Sequence, residues 1–257
     1  QGIPTYSLNL QRPLASSPQI RALLTLLALV YPSLGRSIDR DAIAEMLVVL
    51  SVGKDDTDRY APAIDPVRAG LIADRCYVPD PDRPTLLPAT EFARWDRLGY
   101  LATATYDRLC QWIEQIRLQL EQRLIPSPVS FLDRAIERFL WRVDLPPDRL
   151  APLRELLETA QHYWEVANRT QTDEPTTLAN FIQLLRRGTV TANPYPVRPI
   201  QPAVTLANIY QYRTSRLSHR WQFWLDAGSP LWASGGAAVL FAAPLFLQDR
   251  AGKPWTA

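Results

Sequence analysis

The sequence predicts a mainly α-helical protein that passes into an α/β segment near its C-terminal end. Apolar residues recur at helical spacing through most of the first 190 residues, a proline-rich stretch follows at 193–199, and β-like runs come after it. A hydrophobic fraction of 47% with 21% charged residues is ordinary for a globular chain that buries a core. We therefore expect two domains, a helical one over 1–195 and a partial α/β one over 196–257.

The first two helices have distinct start and face signals. Ser17 precedes Pro18, an N-cap followed by proline at the first helical position, and the leucine-rich run that follows stops before Pro32. Leucines surround most of this helix, so we expect it at the centre of the core. A second helix is predicted over about 39–50. Its apolar face comprises Ile43, Met46, Leu47 and Leu50.

Five more helices are predicted between irregular segments. The charged stretch 51–62 and the proline-bearing stretch 78–90 are interpreted as loops. Ser130 is expected to cap one helix, with Asp133 three residues on as in a capping box, and Gly188 is expected to end the last helix. The predicted helices cover about 65–74, 103–124, 130–143, 148–169 and 177–187. The apolar stripe of the second of these comprises Tyr106, Leu109, Cys110, Ile113, Ile116, Leu120 and Leu124.

After the proline-rich stretch the pattern becomes strand-like. A β-like run at 203–206 is followed by a polar crossing, a second β-like run at 221–226 and a turn at 228–230. Trp221 and Trp224 lie three residues apart, so a flat strand directs them to opposite faces. This spacing favours burial on both sides, as in a central parallel strand.

The sequence carries no recognised catalytic or metal-binding pattern. It lacks the phosphate loop GxxxxGK[ST], the dinucleotide motif GxGxxG and the nucleophile motif GxSxG. Two cysteines and two histidines, all widely spaced, do not make a zinc set, and the cysteines are interpreted as buried free thiols of a reducing cytosol. No apolar run is long enough to span a membrane. We expect no cofactor in this chain and a cytoplasmic location.

The crossing between the two β-like runs is the candidate nucleic-acid contact. It carries Tyr210, Arg213, Arg216 and Arg220, and such residues grip phosphates and stack on bases. A polar surface loop is the alternative interpretation. Arginine supplies all but two of the 28 basic residues, which suits phosphate recognition or reflects a GC-rich genome. The net charge is only +2, so the whole chain is not a polycation.

At these residues the chain resembles the UvrD-like helicases of superfamily one, especially the RecB/AddB/RecC group of recombination helicase-nucleases. The fifth helicase motif of active members is roughly V-T-L-x-T-I-H followed by x-x-K-G-L-E, and residues 204–209 match its strand. Tyr210 stands where the motif has His and Arg213 where it has Lys. Residues 214–216 replace Gly-Leu-Glu, which suggests a degenerate motor. Thr205, Tyr210 and Arg213 match family positions near DNA or the nucleotide.

A second landmark lies at the N-terminal end. Gly2-Ile-Pro4, then Arg12-Pro-Leu14 and the leucine helix, resemble the entry to the helical insertion of the family's second motor domain. The resemblance therefore implies a multi-helix insertion domain followed by the start of a RecA-like α/β domain. It implies DNA as partner, a partner helicase-nuclease subunit, and a bacterial recombination and repair protein. ATP and Mg²⁺ would then bind elsewhere in a longer protein.

The two ends of the chain and its low net charge lead to two further expectations. The chain starts with Gln1 and stops just after a turn-like Gly-Lys-Pro, so we expect a piece of a longer polypeptide without ATPase or nuclease activity of its own. The alternative is a helical protein-interaction scaffold with no nucleic-acid role, which the low net charge favours. Clustering of the arginines on one face would discriminate between the two.

Overall fold

Helix dominates the part of the chain that the structure, a computed structural model, describes. This part comprises residues 5–7, 12–54, 59–91, 95–141, 145, 147–170, 173–192, 203–208, 212, 218–225 and 227–228. The mainly α-helical prediction is confirmed. The helices are Pro18–Val30 (α1), Arg40–Leu50 (α2), Pro66–Cys76 (α3), Tyr100–Glu121 (α4), Pro128–Ala135 (α5), Pro147–Thr170 (α6) and Glu174–Arg186 (α7). The strands are Thr5–Ser7 (β1), Arg12–Pro13 (β2), Val52–Lys54 (β3), Tyr60–Pro62 (β4), Tyr77–Val78 (β5), Thr85–Leu86 (β6), Thr191–Ala192 (β7) and Val204–Leu206 (β8).

The chain divides into two units. The helical unit is Leu10–Ile200, and the terminal unit joins Gln1–Asn9 to Gln201–Ala257. The helical unit is thus an insertion in sequence between β1 and β8. In the terminal unit these two strands pair in parallel. The proline-rich stretch 193–199, where the sequence places the domain boundary, lies outside the described residues.

α1 is the centre of the helical unit, as its leucines predict. Every residue from Ala22 to Val30 is buried, and α1 packs against α2, α4, α5 and α6. Thr25 is buried among the leucines, and its hydroxyl donates to the Arg21 carbonyl at 2.9 Å, so this polar group is satisfied inside the helix. Each fully buried leucine contributes roughly 2 kcal/mol of transfer free energy. The buried face of α2 is the one predicted from Ile43, Met46, Leu47 and Leu50.

One helix start differs from the prediction. α5 is capped by Ser127, whose hydroxyl accepts from the Ser130 backbone N–H at 3.2 Å, so Ser130 lies inside the helix. The capping box of Ser130 and Asp133 is therefore wrong. Pro128 explains the difference, because it occupies the first helical position and fixes the cap one residue before it. The helix continues as a π-helix over Ile136–Leu140.

The two segments interpreted as loops each contain a small hairpin. β3 and β4 pair antiparallel within the charged stretch 51–62, and β5 and β6 pair antiparallel within the proline-bearing stretch. Ser51 fixes the base of the first hairpin, since its hydroxyl accepts from the Ile64 N–H at 3.1 Å and its carbonyl accepts from the Ala63 N–H at 3.0 Å. The hairpin therefore lies firmly on the end of α2.

The two ends of the helical unit meet at a short pair of strands. β2 and β7 are antiparallel, and the Leu14 N–H donates to the Val190 carbonyl at 2.9 Å. Gly188 precedes β7 with a φ of 72°, which fits the predicted glycine at the end of α7. Among the described residues no helix has the length and hydropathy that crossing a bilayer requires.

Candidate functional site

Thr205 lies in the middle of β8. Its register partner in β1 is Tyr6, with Thr5 opposite Val204 and Ser7 opposite Leu206. Thr205 is half-buried, whereas about half of Val204 and of Leu206 is exposed, so the strand alternates between a covered and an open face. The predicted first strand is confirmed, and the role of Thr205 near DNA stays a prediction.

The other predicted contact residues are only partly placed. Tyr210, Arg213 and Arg216 lie outside the described residues. Arg220 is described and exposed. The structure therefore locates two of the five candidates, Thr205 and Arg220, both in the terminal unit.

The second β-like run is not a strand. Residues 221–225 have turn or irregular conformation and pair with no described strand. The expected burial of Trp221 and Trp224 is wrong, because 76% and 60% of these residues are exposed. A strand buries both its faces only when neighbouring strands and helices cover them, and β8 has β1 as its described neighbour.

These residues form instead an exposed aromatic segment, which comprises Tyr212 and residues 218–225. The Tyr212 and His219 rings are stacked, with centroids 5.9 Å apart and planes 30° apart. Gln222 links two aromatic side chains, since its Nε2 donates to the Tyr212 hydroxyl at 2.9 Å and its Oε1 accepts from Trp224 Nε1 at 3.1 Å. The hydrogen bonds orient these rings while Trp221 stays open to solvent beside Arg220.

Another exposed tryptophan is Trp141, which is followed by an arginine in the sequence. Trp141 is 58% exposed, and Arg142 lies outside the described residues. Trp112 and Trp164, by contrast, pack in the core. The Trp112 and Phe139 ring centroids are 4.9 Å apart, and those of Trp164 and Phe181 are 4.8 Å apart. Exposed and core tryptophans are thus separate groups.

A second candidate site, which the sequence did not predict, lies in the helical unit. A groove of about 380 Å³ is bounded by the β3–β4 hairpin, by α4 and by the π-helix. Lys54, Arg108 and Arg138 lie along it, and we call it the cationic groove. One sequence signal existed: Leu101, Thr105 and Arg108 recur at i, i+4 and i+7 and so share one face of α4.

A larger groove of about 460 Å³ lies between the start of α5 and the helices α6 and α7. Its lining includes Trp164 together with the carboxylates Glu165 and Glu174. Carboxylates repel phosphate, so this groove is a poor candidate for nucleic acid.

Both cysteines are free thiols, as predicted. Burial raises the pKa of the Cys76 thiol, and it raises the pKa of Cys110 to about 12. Tyr106 lies beside both, and burial raises its pKa as well. Protonated thiols are poor nucleophiles, so this cluster does not suit covalent catalysis. Within the described residues no group of three or more His, Cys, Asp and Glu side chains is arranged to hold a metal ion.

Comparisons with known proteins return no similarity: no family model matches the chain, and no curated protein or solved structure matches it.

Proposed function

We propose that this chain is the DNA-binding and structural portion of a helicase-like DNA recombination and repair protein. The observation that carries the proposal is the parallel pairing of β1 with β8. The first segment that resembles UvrD-like helicases, residues 2–14, surrounds β1, and the second begins with β8. About 190 residues separate the two segments in sequence. A helical unit inserted between two adjacent parallel strands is the arrangement expected of a helical insertion in a RecA-like domain.

The aromatic segment is the proposed contact with single-stranded DNA. Its Trp221, Phe223 and Trp224 side chains are exposed, and Gln222 orients the rings of Tyr212 and Trp224 by hydrogen bonds. Arg220 lies next to Trp221 in sequence. Base–aromatic stacking contributes about 1–3 kcal/mol per base and tolerates any sequence. Arginine at the same surface supplies the phosphate contact.

The proposal extends to the longer protein from which the chain would come. It is a bacterial, cytoplasmic relative of the RecB/AddB/RecC group, with a partner helicase-nuclease subunit, and its ATP and Mg²⁺ bind outside this chain. The chain alone has neither ATPase nor nuclease activity.

Fluorescence anisotropy with labelled single-stranded and forked DNA tests this proposal. We expect affinity to fall by at least tenfold between about 50 and 200 mM salt, because released counterions drive phosphate binding. Trp221→Ala and Arg220→Glu should each weaken binding about fivefold or more. Arg149→Glu, an equal charge change at an exposed position of α6, is the matched control. Absence of binding at low salt would contradict the proposal.

A helical protein-interaction scaffold is the second candidate function. It is favoured by the pairing of surface arginines with carboxylates, as in Arg68–Asp65 at 2.6 Å, Arg83–Glu121 at 3.5 Å and Arg154–Glu158 at 2.6 Å. Paired arginines make a mixed surface rather than a continuous cationic one. A chain that binds no DNA but binds a protein partner would support this candidate.

A further inference from the structure

The cationic groove is built by three elements that are distant in sequence. The β3–β4 hairpin forms one wall, the first half of α4 another, and Arg138 and Phe139 of the π-helix close the third side. Its volume of about 380 Å³ lies at the lower end of the roughly 300–1,000 Å³ usual for ligand sites. It is therefore large enough for a few side chains and too small for a folded domain.

Two arginines of this groove are held in place without a carboxylate partner. Arg108 Nε donates to the Ala104 carbonyl at 3.2 Å, and its Nη2 donates to the Thr105 hydroxyl at 3.0 Å. The Arg138 guanidinium lies over the Phe139 ring, 6.0 Å from its centroid. Neither forms an ion pair with any residue that the structure describes. Both keep N–H groups available for an anion, in contrast to the paired arginines of the same unit.

The rest of the lining is mostly apolar. Leu50, Ile64 and Leu109 are buried beneath it, whereas 62% of Leu101 is exposed. A leucine this exposed on an otherwise amphipathic helix offers area that an apolar side chain can cover. The groove thus joins an apolar surface to two cations, and a complementary occupant carries both properties.

A peptide fits this combination better than a nucleic acid does. Bases bind by stacking on an aromatic face, and among the described lining residues Phe139 alone is aromatic. Its ring is already engaged, since Trp112 contacts it edge-on at 4.9 Å and Arg138 lies over it. A carboxylate, by contrast, matches the planar fork of an arginine, and an aliphatic side chain matches the surface around Leu101.

We propose that the cationic groove binds an acidic segment of a partner protein, with carboxylates on Arg108 and Arg138 and an aliphatic side chain against Leu101. This site lies in the helical unit and does not depend on DNA binding by the terminal unit. It gives the chain a protein partner whichever of the two candidate functions holds.

The test is a titration of the full chain into a fluorescein-labelled peptide of five glutamates with two leucines between them. Arg108→Glu/Arg138→Glu should weaken binding about tenfold or more, since it replaces two attractive charges by repulsive ones. The control Arg149→Glu/Arg169→Glu makes the same charge change at exposed positions of α6 outside the groove. Leu101→Glu is a second variant, because this exposed position tolerates substitution without loss of core.

The peptide itself has two matched controls, one with glutamine for glutamate and one with serine for leucine. We expect both to bind several-fold more weakly, because each removes one of the two required properties.

Equal affinity of the groove variant and the control variant, or absence of peptide binding at low salt, would overturn the inference. Weakened binding of a labelled twelve-nucleotide oligothymidine by the groove variant, without any peptide binding, would do the same and would assign the groove to DNA. A chain that binds the peptide but binds no DNA would contradict the proposed function and would still support the peptide site.

Discussion

At the scale of single residues, Arg117 is a buried charged side chain that connects three segments of the helical unit. It belongs to α4 yet is only 5% exposed. Its guanidinium donates to the Leu29 carbonyl at 2.7 Å, to the Pro84 carbonyl and to the Glu114 carboxylate at 2.7 Å. Leu29 lies in the last turn of α1, where carbonyls have no helical partner, so Arg117 caps the central helix from another element.

Arg117→Met should lower the free energy of unfolding by about 3 kcal/mol, because it leaves two carbonyls without a donor in the core. Urea denaturation followed by circular dichroism measures the change. Arg154→Met is the control: Arg154 pairs with Glu158 at the exposed surface, so its loss should leave the free energy of unfolding nearly unchanged. Equal effects of the two substitutions would show that the buried hydrogen bonds contribute little.

Cys110 gives a prediction about pH. Burial raises the pKa of its thiol to about 12, above an ordinary value of roughly 8.5, so the folded state favours the protonated thiol. This contribution is complete below the ordinary pKa and is lost as pH rises from there toward about 12. The loss proceeds at up to about 1.4 kcal/mol per pH unit for each such thiol.

Cys110→Ser removes this titration, since a serine hydroxyl does not ionise in the range. Between pH 7.5 and pH 9.5, the urea midpoint of unfolding should therefore fall further for the unsubstituted chain than for the variant. A residual fall is expected in the variant, because burial also raises the pKa of Cys76. Identical falls in both proteins would mean that Cys110 ionises as readily folded as unfolded.

At the scale of elements, the first two helices differ in whether the residue at the N-cap forms a side-chain hydrogen bond. Asp39 caps α2, and its carboxylate accepts from the Ala42 N–H at 2.7 Å. Ser17 occupies the corresponding position of α1, but its side chain makes no such bond to the described backbone of that helix. The sequence predicted both starts, and it did not show which of the two side chains makes the hydrogen bond.

Asp39→Ala should cost about 1 kcal/mol of unfolding free energy, the usual value for a lost cap. Ser17→Ala should cost no more than about 0.3 kcal/mol, because no cap bond is lost. Differential urea denaturation distinguishes the two. A cost at Ser17 equal to that at Asp39 would indicate that Ser17 stabilises α1 through its backbone conformation rather than through a side-chain bond.

Short strands were the least predictable elements. β3 and β4 have three residues each, too few for an alternating pattern to stand out from the charged stretch around them. Their pairing depends on packing against α2 and on Ser51, which are tertiary contacts. The opposite error occurred at 221–225, where an apolar pattern typical of a strand lacks described neighbours to pair with.

At the scale of the whole molecule, the sequence predicted the helices well and indicated only the α4 face of the cationic groove. A long apolar stripe predicts a helix well, because its residues recur at the helical period and so lie on one face. The cationic groove requires Lys54, Arg108 and Arg138 to converge from three elements. Arg138 was the least accessible of these to prediction, because a π-turn changes the helical spacing and so the direction of the residues within it.

The topology of the helical unit predicts that residues 10–200 fold without the rest of the chain. The apolar core runs from Leu14 to Ala192 and lies entirely within this unit. The antiparallel β2–β7 pair joins the two ends of this unit. We expect a helical circular dichroism spectrum and one cooperative thermal transition for this shortened chain. A version starting at residue 36 lacks α1 and should show no cooperative transition, because α1 is the centre of the core. Binding of a hydrophobic dye and a gradual melt by the 10–200 chain would instead show that its packing needs the terminal unit.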